Sequence, residues 1–186
     1  PVDADIVIGV PDSSISAAIG YSEASHIPYE MGLIKNKYVG RTFIQPTQEL
    51  RNQGVRMKLS AVSSIVNQKR VIMIDDSIVR GTTSKRIVTL LKEAGATEVH
   101  VRIASPAIKY PCFYGVDTST LDELISHKMT IQELCAYIGA DSLAFISEEG
   151  LQKSIHFEKE HTCDLCMACF NRKYVTPLYD NDFQDD

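Results

Sequence analysis

The sequence lacks the features by which membrane-bound and exported proteins are recognised. No apolar run among its 186 residues approaches the length of a membrane span. The first residues, 1–5, contain neither a starting Met nor the basic and apolar regions of a signal peptide. We therefore expect a cytoplasmic protein without a membrane partner, and we interpret the chain as a fragment or a processed product.

An excess of positive charge is also missing. The chain has 19 Lys and Arg against 24 Asp and Glu, which gives a formal net charge of -5. Proteins that bind nucleic acids place clustered Lys and Arg against the phosphates, so this balance argues against a nucleic-acid partner. The acidic tail, residues 180–186, is typical of a solvated chain end. Internal repeats are absent too, and the 44% apolar content suits one globular domain.

What is present is an alternation of short apolar runs with segments of helical spacing. It predicts strands at 5–10, 28–33, 71–74, 98–104 and 143–146, and helices at 14–25, 57–66, 83–94, 119–126, 130–138 and 148–155. Residues 35–56 are polar and basic and contain Gly40, Pro46 and Gly54, which indicates a long loop. This order predicts an α/β fold, with an open, mainly parallel sheet and helices on both faces.

The segment 71–84 has the composition of a phosphate-binding loop at the end of a central strand. Its four apolar residues are followed by Asp75 and Asp76 and then by a loop that enters a helix. Ligands of open parallel sheets gather at the carboxyl ends of the strands. Gly81 permits close approach of the backbone, and the N–H groups and dipole of the helix start favour an anion. Further donors are the hydroxyls of Thr82, Thr83 and Ser84.

Two adjacent carboxylates beside such a loop suit a ribose. Asp75 and Asp76 can accept hydrogen bonds from sugar hydroxyls and can stabilise positive charge on the ring as a leaving group departs. Alternatively, an Asp-Asp pair at a strand end is only a solvated turn, and Gly-Thr-Thr-Ser only a helix cap. The combination with a buried strand and an amphipathic helix favours the binding site.

Residues 71–84 closely resemble the 5-phosphoribosyl-1-pyrophosphate (PRPP) signature of type I phosphoribosyltransferases, and within them of the glutamine PRPP amidotransferase family. The resemblance extends to residues 10–14, 37–44, 110–117 and 138–143, and so covers nearly the whole chain. It implies the type I phosphoribosyltransferase fold. Residues 1–155 would form that domain without its first helix, and residues 156–186 a segment with cysteines and the acidic tail.

The same resemblance implies roles for individual residues. Asp75 and Asp76 would contact the ribose hydroxyls as catalytic residues and, with Ser13, would hold Mg²⁺. Loop 35–53 would close over PRPP and exclude water, with Lys37 and Arg41 on the pyrophosphate. The alternative for these two cations is solvated loop charge. The implied contacts to the substrate and its 5′-phosphate are Ser77, Arg80, Gly81, Thr82, Thr83 and Ser84.

The five cysteines indicate a metal or cluster site. Cys166 and Cys169 have a Cys-x-x-Cys spacing, and Cys163 adds a third thiol at the same interval. Spacing alone leaves zinc and an iron–sulfur cluster open, with free thiols as a weaker option. Resemblance to the Bacillus-like branch implies a [4Fe–4S] cluster on Cys112, Cys166 and Cys169. Its fourth ligand would come from before this chain or from Cys163, while Cys135 is interpreted as a buried small hydrophobe.

Members of this family take ammonia from a glutaminase domain and use it to displace pyrophosphate from PRPP, which yields 5-phosphoribosylamine for purine synthesis. The sequence contains nothing like the glutaminase part, so we expect the carboxy-terminal part of such an enzyme. The implied partners are PRPP, ammonia from the glutaminase domain, inhibitory purine nucleotides and further copies of the chain. The alternatives are a PRPP-sensing regulator of the same fold and a zinc-binding structural module, which would explain the tail alone. The cysteines and the 38–44 loop favour the enzyme.

Overall fold

The computed structural model describes residues 2–36, 59–116, 118, 120–155 and 165–177. In chain order the strands and helices are β1 (Ile6–Gly9), α1 (Ile15–Ser25), β2 (Leu33–Lys35), β3 (Leu59–Ala61), α2 (Ser63–Val66), β4 (Arg70–Asp75), α3 (Thr82–Glu93), β5 (Glu98–Ile103), a 3₁₀ turn (Leu121–Glu123), α4 (Ile125–Lys128), α5 (Ile131–Ile138), β6 (Ser142–Phe145), α6 (Glu148–Ser154) and α7 (Ala168–Asn171).

The main sheet has four parallel strands in the order β1-β4-β5-β6. β4 pairs with β1 from Ile6↔Val71 onward and with β5 from Arg70↔Glu98 onward. All but the first of its six residues are buried, as expected of a parallel strand covered on both faces. β2 and β3 form a separate antiparallel pair.

Helices cover both faces of the sheet. On one face α3 and α5 contribute Ile87, Leu91 and Leu134 to a core that includes alternate residues of β1, β4 and β5. On the other face Ala18 of α1 joins a smaller cluster with Val7, Ile72 and Ile74. Successive side chains of a strand point to opposite faces, so β1 and β4 each contribute to both cores. The predicted α/β fold is confirmed.

Two predicted elements are wrong because tertiary pairing overrides local preference. Residues 57–66 do not form one helix: Leu59–Ala61 pairs with Leu33–Lys35, and the helical part is the single turn Ser63–Val66. Residues 28–33 do not form a strand either. Tyr29 makes an isolated bridge with Val7, and regular pairing begins only at Leu33.

The helix predicted at 119–126 is also wrong. A 3₁₀ turn ends at Glu123, Leu124 adopts an extended conformation, and a short helix follows from Ile125. The extended Leu124 is completely buried, so burial of this side chain interrupts the helical course. The predicted capping box at Thr130 and Glu133 is confirmed, with hydrogen bonds in both directions.

Helix length limits what the described residues can span. The longest helices there, α3 and α1, have 12 and 11 residues. None of the helices in these parts of the chain combines the length and the apolar character that crossing a membrane requires.

Candidate functional site

A cavity of about 630 Å³ opens at the carboxyl ends of β1 and β4. The two strands are parallel neighbours, and the Val10 N–H donates to the Ile74 carbonyl at 2.9 Å, so their loops leave the sheet side by side. All of residues 75–84 line the cavity, and so does Ser13. The structure therefore brings together the predicted phosphoribosyl and magnesium residues, whereas Lys37 and Arg41 lie outside the described residues.

The floor of the cavity is built to attract an anion. α3 begins at Thr82, with Gly81 as its N-cap in the left-handed conformation (φ 72°) and with no side chain capping the helix. First-turn N–H groups lack intrahelical partners, and the helix dipole is positive at this end. Thr82 and Thr83 are exposed there, while Ser84 is buried beneath them.

Asp75 is a buried carboxyl group at the end of the central strand. It is 6% exposed, and it accepts hydrogen bonds from Ser14 Oγ at 3.2 Å and from the Asp76 N–H at 2.9 Å. Burial raises its pKa to about 6, and the neighbouring Asp76 carboxylate adds to the rise. Asp76 itself is exposed, so the cavity presents one buried carboxyl and one solvated carboxylate side by side.

Two residues that were not predicted for the site, Ser14 and Lys35, also lie in it. Ser14 is buried and donates to Asp75, whereas its neighbour Ser13, predicted for the Mg²⁺ site, is exposed and lines the cavity. Lys35 lines the cavity, and its Nζ lies 2.7 Å from Asp12 Oδ2 in the β1–α1 loop. Lys35 could have been predicted for the site, because it is one of the basic residues of the predicted loop.

Arg80 lies at the rim of the cavity. Its guanidinium is bound to Glu123, with Nη2 2.7 Å from Oε1. The resemblance implied that Arg80 faces the phosphate, and Glu123 was not recognised as its partner. The sequence carried no signal for this pair, because the two residues are 43 positions apart.

Thr118 connects the cavity to the cysteine region. It is buried and lines the cavity, and its carbonyl accepts a hydrogen bond from the Cys112 N–H at 3.1 Å. No motif in the sequence pointed to it.

Residues 165–177 fold back onto the chain around Cys112. The Cys169 carbonyl accepts hydrogen bonds from the N–H groups of Lys109 and Tyr110, and the Tyr174 hydroxyl donates to the Pro111 carbonyl at 2.8 Å. Burial raises the pKa of the Cys169 thiol, and the neighbouring Cys112 and Cys166 contribute to the rise. The three predicted cluster ligands are therefore near one another.

The remaining two cysteines are Cys163 and Cys135. Cys163 lies outside the described residues. Cys135 is partly buried, and its thiol donates to the Ala140 carbonyl at 3.3 Å, which agrees with a packing role. In the part of the chain that the structure describes, no group of three or more His, Cys, Asp or Glu side chains is arranged to hold a metal ion.

The chain is similar in sequence to several known proteins. No family model matches the chain. Over 179 residues it is 65% identical to the amidophosphoribosyltransferase of Bacillus subtilis, a match that covers 96% of this chain and 38% of that protein. The corresponding proteins of Staphylococcus aureus and Synechocystis are 59% and 57% identical and match 97% of this chain, which spans 37% and 36% of them.

Solved structures give the same result. Glutamine PRPP amidotransferase from B. subtilis, complexed with ADP and GMP, superposes with a TM-score of 0.87 at 65% identity, over 97% of this chain and 40% of that one. A structure described as the allosteric regulatory enzyme of purine biosynthesis has a TM-score of 0.86 at 63% identity, over 97% and 39%. Over nearly all of its length this chain is therefore similar to amidophosphoribosyltransferases, of whose length it spans about two fifths.

Proposed function

We propose that this chain is the phosphoribosyltransferase part of an amidophosphoribosyltransferase. It would bind PRPP and catalyse displacement of pyrophosphate by ammonia, which gives 5-phosphoribosylamine, the first step of purine synthesis. The observation that carries the proposal is the cavity at the end of β4, where an uncapped helix start and two carboxylates lie together. The identity to named amidophosphoribosyltransferases supports the same reaction.

In this proposal each part of the cavity has a chemical task. The first turn of α3 and the hydroxyls of Thr82 and Thr83 hold the 5′-phosphate. Asp75 and Asp76 accept hydrogen bonds from the ribose hydroxyls and stabilise the positive charge that develops on the ring as pyrophosphate leaves. The proposed reaction does not require a covalent nucleophile. Orientation of ammonia against PRPP lowers the activation barrier for displacement of pyrophosphate. Lys37 and Arg41 remain our candidates for pyrophosphate contacts.

Magnesium fits the oxygen donors at this site. Mg²⁺ is usually held by one or two carboxylates together with substrate phosphates, so a dedicated group of three side chains is not required. Asp75, Asp76 and the Ser13 hydroxyl all line the cavity where the pyrophosphate of PRPP would lie. We propose that they hold the ion together with the substrate, whose negative charge it would offset.

We also propose that Cys112, Cys166 and Cys169 hold a [4Fe–4S] cluster, although the described side chains do not already converge on the position of a single metal ion. Thiolates are the ligands of such clusters, and these three come from two segments that contact each other. The Tyr114 N–H lies 3.4 Å from Cys112 Sγ, a hydrogen bond that suits a cluster ligand. The cluster would fasten residues 165–177 to the fold. Its fourth ligand would be Cys163 or a residue that precedes this chain.

Regulation by purine nucleotides is a further part of the proposal. The similar B. subtilis protein is described as complexed with ADP and GMP. Nucleotides carry the same ribose phosphate group as PRPP, so the first turn of α3, with Thr82 and Thr83, suits both ligands. Assembly into homo-oligomers remains an expectation from the family.

The proposed function is tested by replacing each carboxylate in the full-length protein. We expect Asp75→Asn and Asp76→Asn each to reduce ammonia-dependent formation of phosphoribosylamine by a factor of at least about 100, since electrostatic stabilisation of the transition state is lost. Glu93→Gln is the matched control, because Glu93 is exposed at the far end of α3. Wild-type rates in both Asp variants would contradict the proposal. PRPP binding without any turnover by the wild-type protein would instead indicate a sensor.

A further inference from the structure

The loop between β4 and α3, residues 76–81, is held from outside by a second segment. We call this loop the phosphate loop and residues 123–137 the bracket. The first contact is made by the backbone: the Ile125 N–H donates to the Val79 carbonyl at 2.8 Å. Val79 therefore has a fixed position although it belongs to neither the strand nor the helix.

The next residue of the loop makes an ion pair with the bracket. Arg80 Nη2 lies 2.7 Å from Glu123 Oε1, and the two side chains are 61% and 39% exposed. Exposed ion pairs add little to the stability of the fold. The effect of this pair is instead to hold the Arg80 guanidinium in one position. Arg80 lines the main cavity and also a second cavity of about 340 Å³, which Glu123 also lines.

The third contact is steric. A Cβ built on Gly81 would lie 3.0 Å from Ile125 Cδ1 and 3.3 Å from Tyr137 Cε1, so the bracket touches the loop at its last residue. One turn later, Lys85 Nζ lies 4.4 Å from the centre of the Tyr137 ring. Three consecutive loop residues, 79–81, thus each contact the bracket.

We propose that Glu123 is a positioning residue for phosphoribosyl binding. Its carboxylate holds the Arg80 guanidinium at the rim of the cavity, and the bracket presents the phosphate loop in its binding conformation. The inference rests on the proposed function, since it assigns the 5′-phosphate to this loop. A guanidinium has five N–H donors, so one contact with Glu123 leaves others for phosphate oxygens.

The pair acts by limiting the freedom of Arg80 before the ligand arrives. A long side chain that is immobilised only on binding costs affinity, and a side chain that is already held avoids much of that cost. Loss of the Glu123 carboxylate is therefore expected to weaken phosphoribosyl binding by roughly two- to tenfold. Turnover at saturating PRPP should stay nearly unchanged, because Glu123 does not touch the reacting atoms.

The test uses Glu123→Ala and Glu123→Gln in the full-length protein, with PRPP, ribose 5-phosphate and magnesium pyrophosphate as probes. Glu123→Ala should weaken PRPP and ribose 5-phosphate by the same factor and leave pyrophosphate unchanged. Glu123→Gln should be intermediate, since it keeps an acceptor without the charge. In an Arg80→Gln background, Glu123→Ala should have no further effect. Asp122→Asn is the matched control, because Asp122 lies in the same 3₁₀ turn, is 95% exposed and pairs with Lys128 rather than with Arg80.

Several outcomes would overturn the inference alone. These are unchanged or tighter binding of ribose 5-phosphate by Glu123→Ala, an equal loss of pyrophosphate binding, or additive effects of the Arg80 and Glu123 substitutions. Wild-type protein that binds neither PRPP nor ribose 5-phosphate would overturn the proposed function, and this inference with it.

Discussion

At the scale of single residues, Asp75 and Asp76 are adjacent in the chain but differ in environment. Asp75 is buried at the end of β4, and its pKa is raised to about 6, mainly by burial. Asp76 faces solvent in the cavity. At neutral pH Asp75 is above its pKa of about 6, so its buried carboxylate is ionised and lowers the stability of the folded state. A bound magnesium ion or a ribose hydroxyl would offset that cost, so we interpret the buried charge as functional.

The first prediction concerns this cost. A group whose folded pKa is raised contributes stability below its unfolded pKa of 3.8, and that stability is lost as pH rises through about 6. We expect Asp75→Asn to raise the free energy of unfolding at pH 7.5 by about 1–3 kcal/mol, with the gain disappearing near pH 4. Urea denaturation at several pH values measures it.

The control for this experiment is Asp76→Asn. Because Asp76 is exposed, its substitution should change the free energy of unfolding by no more than about 0.5 kcal/mol. A pH-independent difference between the wild-type protein and Asp75→Asn would show that the carboxyl group of Asp75 is not held at a raised pKa.

At the scale of elements, sequence patterns predicted the parts of the fold that depend on local composition. β1, β4, β5 and the helices α1, α3 and α5 were predicted within a few residues, because their apolar spacing is regular. The β2–β3 pair was missed, since its strands have three residues each and are defined by each other. The extended Leu124 was missed for a similar reason, because its burial is a tertiary fact.

In the candidate site, too, local features could be predicted from the sequence and contacts between distant residues could not. The contiguous residues 75–84 could be predicted because a strand, a loop and a helix start follow one another in the sequence. Contacts across the fold could not, as the partners of Asp75 and Arg80 show: Ser14 is 61 positions from Asp75, and Glu123 is 43 positions from Arg80. Ser13 and Ser14 have the same side chain, and only the fold shows that Ser14 is the one that reaches Asp75.

A second prediction separates backbone strain from packing at the phosphate loop. Gly81 and Gly139 have nearly the same left-handed conformation, φ 72° and 75°, but a Cβ at Gly139 would meet nothing within 4 Å. We expect Gly81→Ala and Gly139→Ala each to lower the free energy of unfolding by about 1–2 kcal/mol. Only Gly81→Ala should weaken PRPP binding, by roughly ten- to a hundredfold, because the added Cβ crowds Ile125 and Tyr137 and the loop and these side chains must readjust.

Chemical denaturation and equilibrium PRPP binding, measured on both variants, check this prediction. Equal losses of PRPP affinity in Gly81→Ala and Gly139→Ala would mean that the packing of Gly81 against the bracket does not shape the site.

At the scale of the whole molecule, the cysteine segment is linked to the candidate site through Cys112 and Thr118. Residues 165–177 bind the chain around Cys112, and the Cys112 N–H bonds the carbonyl of Thr118 in the cavity wall. A change that releases the segment would therefore be transmitted to one wall of the cavity. The proposed cluster would therefore stabilise one wall of the cavity and would take no part in the reaction.

A third prediction tests the cluster. Anaerobically purified full-length protein should contain iron and acid-labile sulfide and absorb visible light. Cys112→Ser and Cys166→Ser should lose the iron and unfold at a lower temperature, because the link between the two segments is removed. Cys135→Ser is the matched control and should keep the iron, since its thiol bonds the carbonyl of Ala140. A colourless protein with stoichiometric zinc would contradict the assignment.

In the proposed function, the cavity at residues 75–84 binds a phosphoribosyl group. Calorimetric titration of the full-length protein with PRPP, with and without Mg²⁺, tests it most directly. We predict one PRPP site per chain that requires Mg²⁺ for full affinity, is competed by ribose 5-phosphate, and is weakened by Asp75→Asn and Asp76→Asn but not by Glu93→Gln. Absence of binding, or binding that the two Asp substitutions leave unchanged, would show that this cavity is not a phosphoribosyl site.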